Sequence, residues 1–336
     1  MRNHRRNIKI LALLFFIPVG FVIYKVVRSV FFIEEGLIRS RVPKMPIDPN
    51  TTGGNAFSSL TYTSYDQNSQ KFSLQSSSVE EKNNSEFEFQ NLVSHFKISD
   101  KESGTISAQR AEVSTKDERL CTFIGNVKLT TDSGLQLTTE KAFTNFNNQT
   151  AEGDTPVVIS QKDQKFSANK YFFDAKRKLV RLEGNVQGNM AKDSISSDKL
   201  LVEFDDLNGG NPKKVIATGN STYKSVDYIL KSSESLEYNK NFVDAKKNVR
   251  LQYKKGRKFY DLKSDFMRIE LKQNRVKKAN ASGHMFIKTE TGATVSGNKG
   301  VLENDLLTIT DSVKMTDARG TVLCDKVVIN LKTGSV

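Results

Sequence analysis

Residues 179–204 read L-V-R-L-E-G-N-V-Q-G-N-M-A-K-D-S-I-S-S-D-K-L-L-V-E-F. In the second half Leu200, Val202 and Phe204 face one way, while Leu201 and Glu203 face the other. This is the period-2 pattern of a half-buried strand. The stretch therefore reads as strand, polar turn, strand.

The same unit recurs along the chain. Aligning the acidic or amide residue before each second strand puts Glu140, Asn169, Asp198, Glu234, Asp265, Asn298 and Asp325 in one column, 27 to 36 residues apart, and Gln109 extends it backward. After that column come Ala142, Thr144 and Phe146, then Leu236 and Tyr238, Met267, Ile269 and Leu271, Gly300 and Leu302, and Val327, Ile329 and Leu331. The first strands align through Gly125-Asn-Val127, Gly184-Asn-Val186, Gly219-Asn-Ser221, Lys247-Asn-Val249, Gly283-His-Met285 and Asp311-Ser-Val313. A glycine inside a strand pattern marks a bulge, a bend or a close backbone approach. Val127 and Leu129, Val186, Val249 and Leu251, and Met285 and Ile287 then join the same apolar wall. A repeat of two strands cannot bury its apolar face alone, so neighbouring copies must stack. The expectation is an elongated, open-ended antiparallel β fold, with an ordinary β-sandwich as the alternative.

The 336 residues carry a formal charge of +13. Residues 1–50 hold nine Lys or Arg against three Asp or Glu, so nearly half of that charge lies at the N-terminus. Lys254, Lys255, Arg257, Lys258, Phe259 and Tyr260 form the densest basic and aromatic run, which reads first as a solvated strand end and second as a phosphate or base contact. No nucleic-acid partner is expected. Cys121 and Cys324 are the two cysteines, too few for a disulfide framework. If units stack in order they lie too far apart to pair.

Arg2, Arg5, Arg6 and Lys9 precede the apolar run Ile10–Tyr24, which continues to Ile33 with Lys25 and Arg28 interrupting it. That length suits a membrane-crossing helix with basic side chains snorkelling at its end. Absence of a small-x-small site after it favours an uncleaved anchor over a signal peptide. The basic tail stays cytoplasmic and the remainder crosses the membrane. Three of the six prolines fall at Pro43, Pro46 and Pro49, which marks a linker. The expected organisation is a cytoplasmic tail at 1–7, a transmembrane helix at 8–33, a linker at 34–56, and β regions at 57–190 and 191–336. Ser73–Ser85 reads as a polar loop between early strands and Asn208–Pro212 as a long turn.

Catalytic signals are few. Of three histidines His4 lies in the tail, and His284 stands where other copies have Asn. No Cys or His cluster has metal-ligand spacing, and Walker, G-x-S-x-G and G-x-G-x-x-G patterns are absent. Glu80-Glu81 and Asp205-Asp206 read as solvated acids in loops and turns. A β-helix glycan-processing enzyme would need one exceptional coil, whereas the acidic column is nearly uniform. No cofactor and no catalysis are expected. The apolar wall fits either a dry core or a groove for acyl chains. Each buried CH₂ contributes about 0.8 kcal/mol, so a chain of about a dozen carbons gains on the order of 10 kcal/mol before ordering costs.

The order of a basic N-terminus, one helix, a linker, L-T-Y-T-S-Y-D (Leu60–Asp66), K-F-S-L-Q-S (Lys71–Ser76), I-S-A-Q-R-A-E-V (Ile106–Val113) and F-I-G-N-V-K-L (Phe123–Leu129) resembles the LptC family. A-T-G-N-S-T-Y (Ala217–Tyr223), I-S-S-D-K-L-L-V-E-F (Ile195–Phe204) and V-L-C-D-K-V-V-I-N-L (Val322–Leu331) resemble its partner family LptA, also called OstA. The resemblance implies an open β-jellyroll in the inner membrane's periplasmic space, LptC-like over 57–190 and LptA-like over 191–336. It implies lipopolysaccharide as cargo, held along a groove by Val127, Leu129, Phe146, Val186, Leu200, Val202, Phe204, Leu236, Tyr238, Val249, Leu251, Met267, Ile269, Met285 and Ile287. An inner-membrane ABC transporter of the LptB, LptF and LptG type would supply the cargo. Edge strands would join partners end to end by strand addition. Leu60, Tyr62, Phe72 and Leu74 would meet the transporter, and Val327, Ile329 and Leu331 an LptA-like bridge or the outer-membrane LptD. The chain departs from LptC by running several units beyond one jellyroll. A β-solenoid scaffold or adhesin is the competing function.

Overall fold

The structure, a computed structural model, describes residues 56–335 apart from short stretches at 67–68, 84–85, 100–101, 115–119, 133, 146–147, 149, 175, 191–192, 205–211, 227, 240–241, 256–257, 273–274, 290–291 and 334. The expected tail and membrane helix lie outside these residues, and so does the linker except for Ala56, which is in strand. Among the described residues every regular element is a β-strand, and no helix is long and apolar enough to cross a membrane. Two compact units result. One holds the described residues through Glu183 together with Glu203 and Phe204; the other holds Gly184–Val202 and the described residues from Pro212 onward.

In the first unit β1 (Ala56–Asp66), β2 (Ser69–Asn83), β3 (Glu86–Ser99), β4 (Glu102–Ser114), β5 (Leu120–Thr131) and β6 (Leu135–Asn145) pair antiparallel in succession. The next strand along β6 is broken into β7 (Thr150–Gly153) and β8 (Val157–Gln161). Pro156 lies between them, where its missing N–H is tolerated outside the ladder. β9 (Gln164–Ala168) follows β8, and β10 (Lys170–Asp174) pairs with both β7 and the start of β11 (Leu179–Met190).

The reading of Ser73–Ser85 as a loop is corrected, because Ser69–Asn83 is continuous strand and Glu80-Glu81 lie in it. Buried Ser73 and Ser76 occupy inward positions of that strand, so serine hides the alternation that apolar residues show elsewhere. Lys82 Nζ lies 3.2 Å from Glu80 and 3.5 Å from Glu88 on the paired strand.

In the second unit β12 (Asp193–Phe204) pairs through Ser194–Ser196 with β14 (Ser221–Lys224), and β13 (Pro212–Thr218) pairs with β16 (Ser235–Asn239). β14 pairs with β15 (Tyr228–Ser232), and β15 and β16 share β17 (Phe242–Lys255) as neighbour. From there β18 (Lys258–Lys272), β19 (Arg275–Lys288), β20 (Thr294–Glu303), β21 (Leu306–Asp317) and β22 (Gly320–Asn330) form an antiparallel meander.

Each long strand of this meander bends once. At the bends two residues face one: Lys247-Asn248 face Asp265, Gly283-His284 face Asn298, and Asp311-Ser312 face Asp325. The first unit repeats this with Gly125-Asn126 facing Glu140. These are bulges by count, and a bulge bends its strand. All six aligned dipeptides have both residues at positive φ, from 43° at Asn220 to 76° at Gly125. Glycine and asparagine adopt that region most easily, which is why G-N recurs there.

Both halves of a bent strand bury one face. In β18 Tyr260, Leu262 and Ser264 are buried before the bend and Met267 and Ile269 after it, while Lys263, Asp265 and Arg268 are exposed. Two half-sheets that each bury one face must cover one another. The outward face is held by cross-strand pairs such as Arg250 with Asp261, at 2.8 Å twice, and Arg268 with Asp244, at 2.7 and 2.6 Å.

Candidate functional site

Among the described residues most positions of the expected wall are buried. Val127 and Leu129 are 1 % exposed in the first unit. Leu200, Val202, Val249, Met267, Met285 and Ile287 are at most 1 % exposed in the second, and Val186, Leu236, Leu251 and Ile269 are also buried. Leu201, one position from Leu200, is only half-buried. Tyr238 is half-buried too, and burial pushes its phenol pKa upward. Phe146 and the Phe204 side chain lie outside the described residues. Of the edge candidates Val327, Ile329 and Leu331 are buried, Leu60 and Leu74 are half-buried, and the side chains of Tyr62 and Phe72 lie outside the described residues.

The wall residues pack on one another across the two half-sheets. Their fit is volumetric: a Cβ on Gly300 of β20 would stand 3.1 to 3.3 Å from Met285, so the absent side chain makes room for the bulkiest residue of its column. Buried methylenes of this kind contribute about 0.8 kcal/mol each.

The acidic column has a structural task that explains its uniformity. Glu140 Oε2 accepts from Asn126 N at 3.3 Å, and Asp265 Oδ2 bonds His284 Nδ1 at 2.7 Å. Gly219 N donates to the Glu234 carbonyl at 2.9 Å, and Asp198 N to the Gly219 carbonyl at 3.1 Å. A Cβ on Gly125, Gly219 or Gly283 would overlap Gln109, Asp198 or Asp265 respectively. Successive positive-φ residues gather N–H groups that favour a nearby acceptor, and the Glu140 carboxylate provides one at the 125–126 corner. His284 is thus a corner residue with its own partner on an exposed surface.

Sequence reasoning missed three contributors. The residue before each column member is small: Ala108, Thr139, Ala168, Ser197, Ser233, Ser264, Gly297 and Cys324. At Gly297 a Cβ would overlap Ile309 and press on the Thr310 carbonyl, so this bend has no room for a side chain on its inside. Tyr260, grouped above with the basic run, is 1 % exposed and points inward, whereas Phe259 is 46 % exposed. The period-2 parity from Leu262 would have separated them. The third is a cavity of 620 Å³ on the outer face of the first unit, lined by Ile124, Phe143 and Phe172 among balanced charges including Arg110, Lys141, Glu152 and Arg181. Arg181 lies 4.9 Å from the Phe172 ring centre. Cross-strand neighbours on the polar face form it, which alternation within single strands does not reveal.

Cys121 and Cys324 are free thiols, and burial pushes the Cys121 pKa far upward. Among the described residues no group of three His, Cys, Asp or Glu side chains could hold a metal ion.

Residues 30–191 match the family described as lipopolysaccharide-assembly, LptC-related. The matched span holds the strings at 60–66, 71–76, 106–113 and 123–129. Among solved structures the chain is similar to LptH of Pseudomonas aeruginosa, described as the LptA homologous periplasmic component of the conserved lipopolysaccharide transport device, at 11 % identity over 46 % of this chain and 94 % of that one, with a TM-score of 0.25. No curated protein matches the chain.

Proposed function

We propose that the chain is a membrane-anchored periplasmic component of lipopolysaccharide export, which accepts the lipid's acyl chains between its half-sheets and passes them onward. The LptC-related span at 30–191 is the observation that carries this reading. The one-sided apolar interior gives it a physical basis, since acyl chains crossing water need continuous shielding. The cargo arrives from an inner-membrane ABC transporter of the LptB, LptF and LptG type near β1. It leaves toward an LptA-like bridge or LptD near β22, and residues 191–336 act as an LptA-like continuation of the path. Val322 and Leu323 of β22 are 59 % and 76 % exposed, which suits strand addition there. The chain itself performs no catalysis, and energy comes from the transporter.

The packed state of the wall favours a second reading, a β-solenoid scaffold with a filled core. Photocrosslinking in cells separates the two. With a probe amino acid at Leu200, Val202 or Leu201 in turn, lipopolysaccharide adducts are expected at the first two and not at the third. No adduct at any position leaves the scaffold.

A further inference from the structure

The interior of the second unit is tied shut at one place by a contact between its layers. Tyr260 stands on the half of β18 before the bend, and Leu331 follows the half of β22 after the bend. The Tyr260 hydroxyl donates to the Leu331 carbonyl at 2.7 Å, across 71 residues of sequence, and both residues are 1 % exposed. Leu331 is held from outside by a turn. Its N–H donates to the Asp305 carbonyl at 2.9 Å, and Asn330 N donates to the Ser335 carbonyl at 2.9 Å. The Asn330 Oδ1 accepts from Lys332 N and Thr333 N at 2.9 and 3.2 Å, and Lys332 Nζ lies 3.4 Å from Asp305. Beside this closed point the other layer is uncovered, with Val322 exposed at an inward register position opposite Met315.

We infer that the turn after Asn330 is a strap whose Leu331 side chain plugs the apolar interior, and that the Tyr260–Leu331 bond latches it. The inference rests on the proposed lipid reading and adds the gate through which acyl chains enter or leave this unit. An acyl chain passing between the layers takes the place of Leu331, and the strap swings out on bonds that water can replace at Asn330, Asp305 and Lys332. Tyr260 is the discriminating element. Its ring belongs to the wall and its hydroxyl bonds the strap's carbonyl, so removing one oxygen loosens the strap and leaves the packing.

The test uses the full chain and Tyr260→Phe, read by amide hydrogen exchange and by the uptake rate of fluorescently labelled lipopolysaccharide. Loss of one buried hydrogen bond should speed exchange at the Asn330 and Leu331 amides about five- to tenfold, with amides of β17 to β19 unchanged. Uptake should accelerate by the same factor. Exchange rising equally throughout the unit would show an ordinary core tyrosine and overturn the latch. Local exchange rising with uptake unchanged would overturn the gate while sparing the cargo reading. Binding by neither protein would remove cargo and gate together. Should Tyr260→Phe not fold, Asn330→Ala unties the same turn from its solvent side, and the same pair of readouts decides.

Discussion

The leading strands of the first unit and the closing strands of the second are both runs of long antiparallel strands, and they differ in what fills them. Among the described residues of β2 to β4 the buried inward ones are mostly small or polar, with Ser73, Ser76, Ser94, Ala108 and Ala111 accompanying Val79 and Leu92. In β18 to β21 large residues predominate, with Leu262, Met267, Ile269, Met285, Ile287, Val295, Leu307, Ile309 and Val313 outnumbering the buried Ser264, Ala279 and Ala281. The ladder hydrogen bonds are alike, so the difference lies in apolar surface removed from water. Among the described residues the second region carries the larger apolar core. An acyl chain would find less to displace, and less to hold it, in the first than in the second.

The largest effect that would sharpen this contrast is a cavity in the second region. Ile309→Ala, at a position 0 % exposed, is expected to destabilise that unit by about 2–5 kcal/mol in urea unfolding. A loss below about 1 kcal/mol would break the comparison. Next comes the corner. Gly219→Ala must hold φ near +72° and displace Asp198, for an expected loss of about 1–3 kcal/mol. Gly134→Ala, in a first-unit turn at φ +81° with open space around it, isolates the strain alone at about 1 kcal/mol. The two losses, compared by thermal unfolding, should differ in that order. The smallest effect is Ser94→Ala. Its hydroxyl is buried without a hydrogen-bond partner among the described residues, so the variant should be as stable as the parent or gain up to about 1 kcal/mol, read by exchange of β3 amides. A clear loss there would mean that the serine wall is bound by interactions that alternation does not show.

Much of this plan was legible because it rests on local chemistry. Positive φ at two successive residues selects Gly-Asn, and that signature alone located the bends at 125–126, 184–185 and 219–220. Lys247-Asn248 and Asp311-Ser312 lack the glycine and were legible only through the repeat spacing. The inward faces of β12 and β18 to β22 followed from alternation of large apolar residues. Where small residues face inward, as Ser73 and Ser76 do, the same rule gave a loop in place of strand. Tyr260 was misjudged for a related reason, since a run of basic neighbours outweighed its parity. The Leu331 strap had no local signal at all, because its partners lie in β18 and beside Asp305, and only the folded chain brings them together. Likewise the outer cavity arises from cross-strand rows, and register is a property of pairs of strands.

The two-against-one count at each bend has a consequence for how such a chain can change length. A strand with a double-residue corner and its neighbour with a single column residue form a closed pair that begins and ends in the same direction and carries its own bend. Duplicating or deleting that pair, roughly thirty residues by the spacing of the column, returns the next strand to the same layer with the same side facing inward. Removing a single strand instead reverses every strand that follows and sets like corners against like. Growth by whole pairs is therefore the neutral path, and the reach of the interior is quantised in steps of two strands.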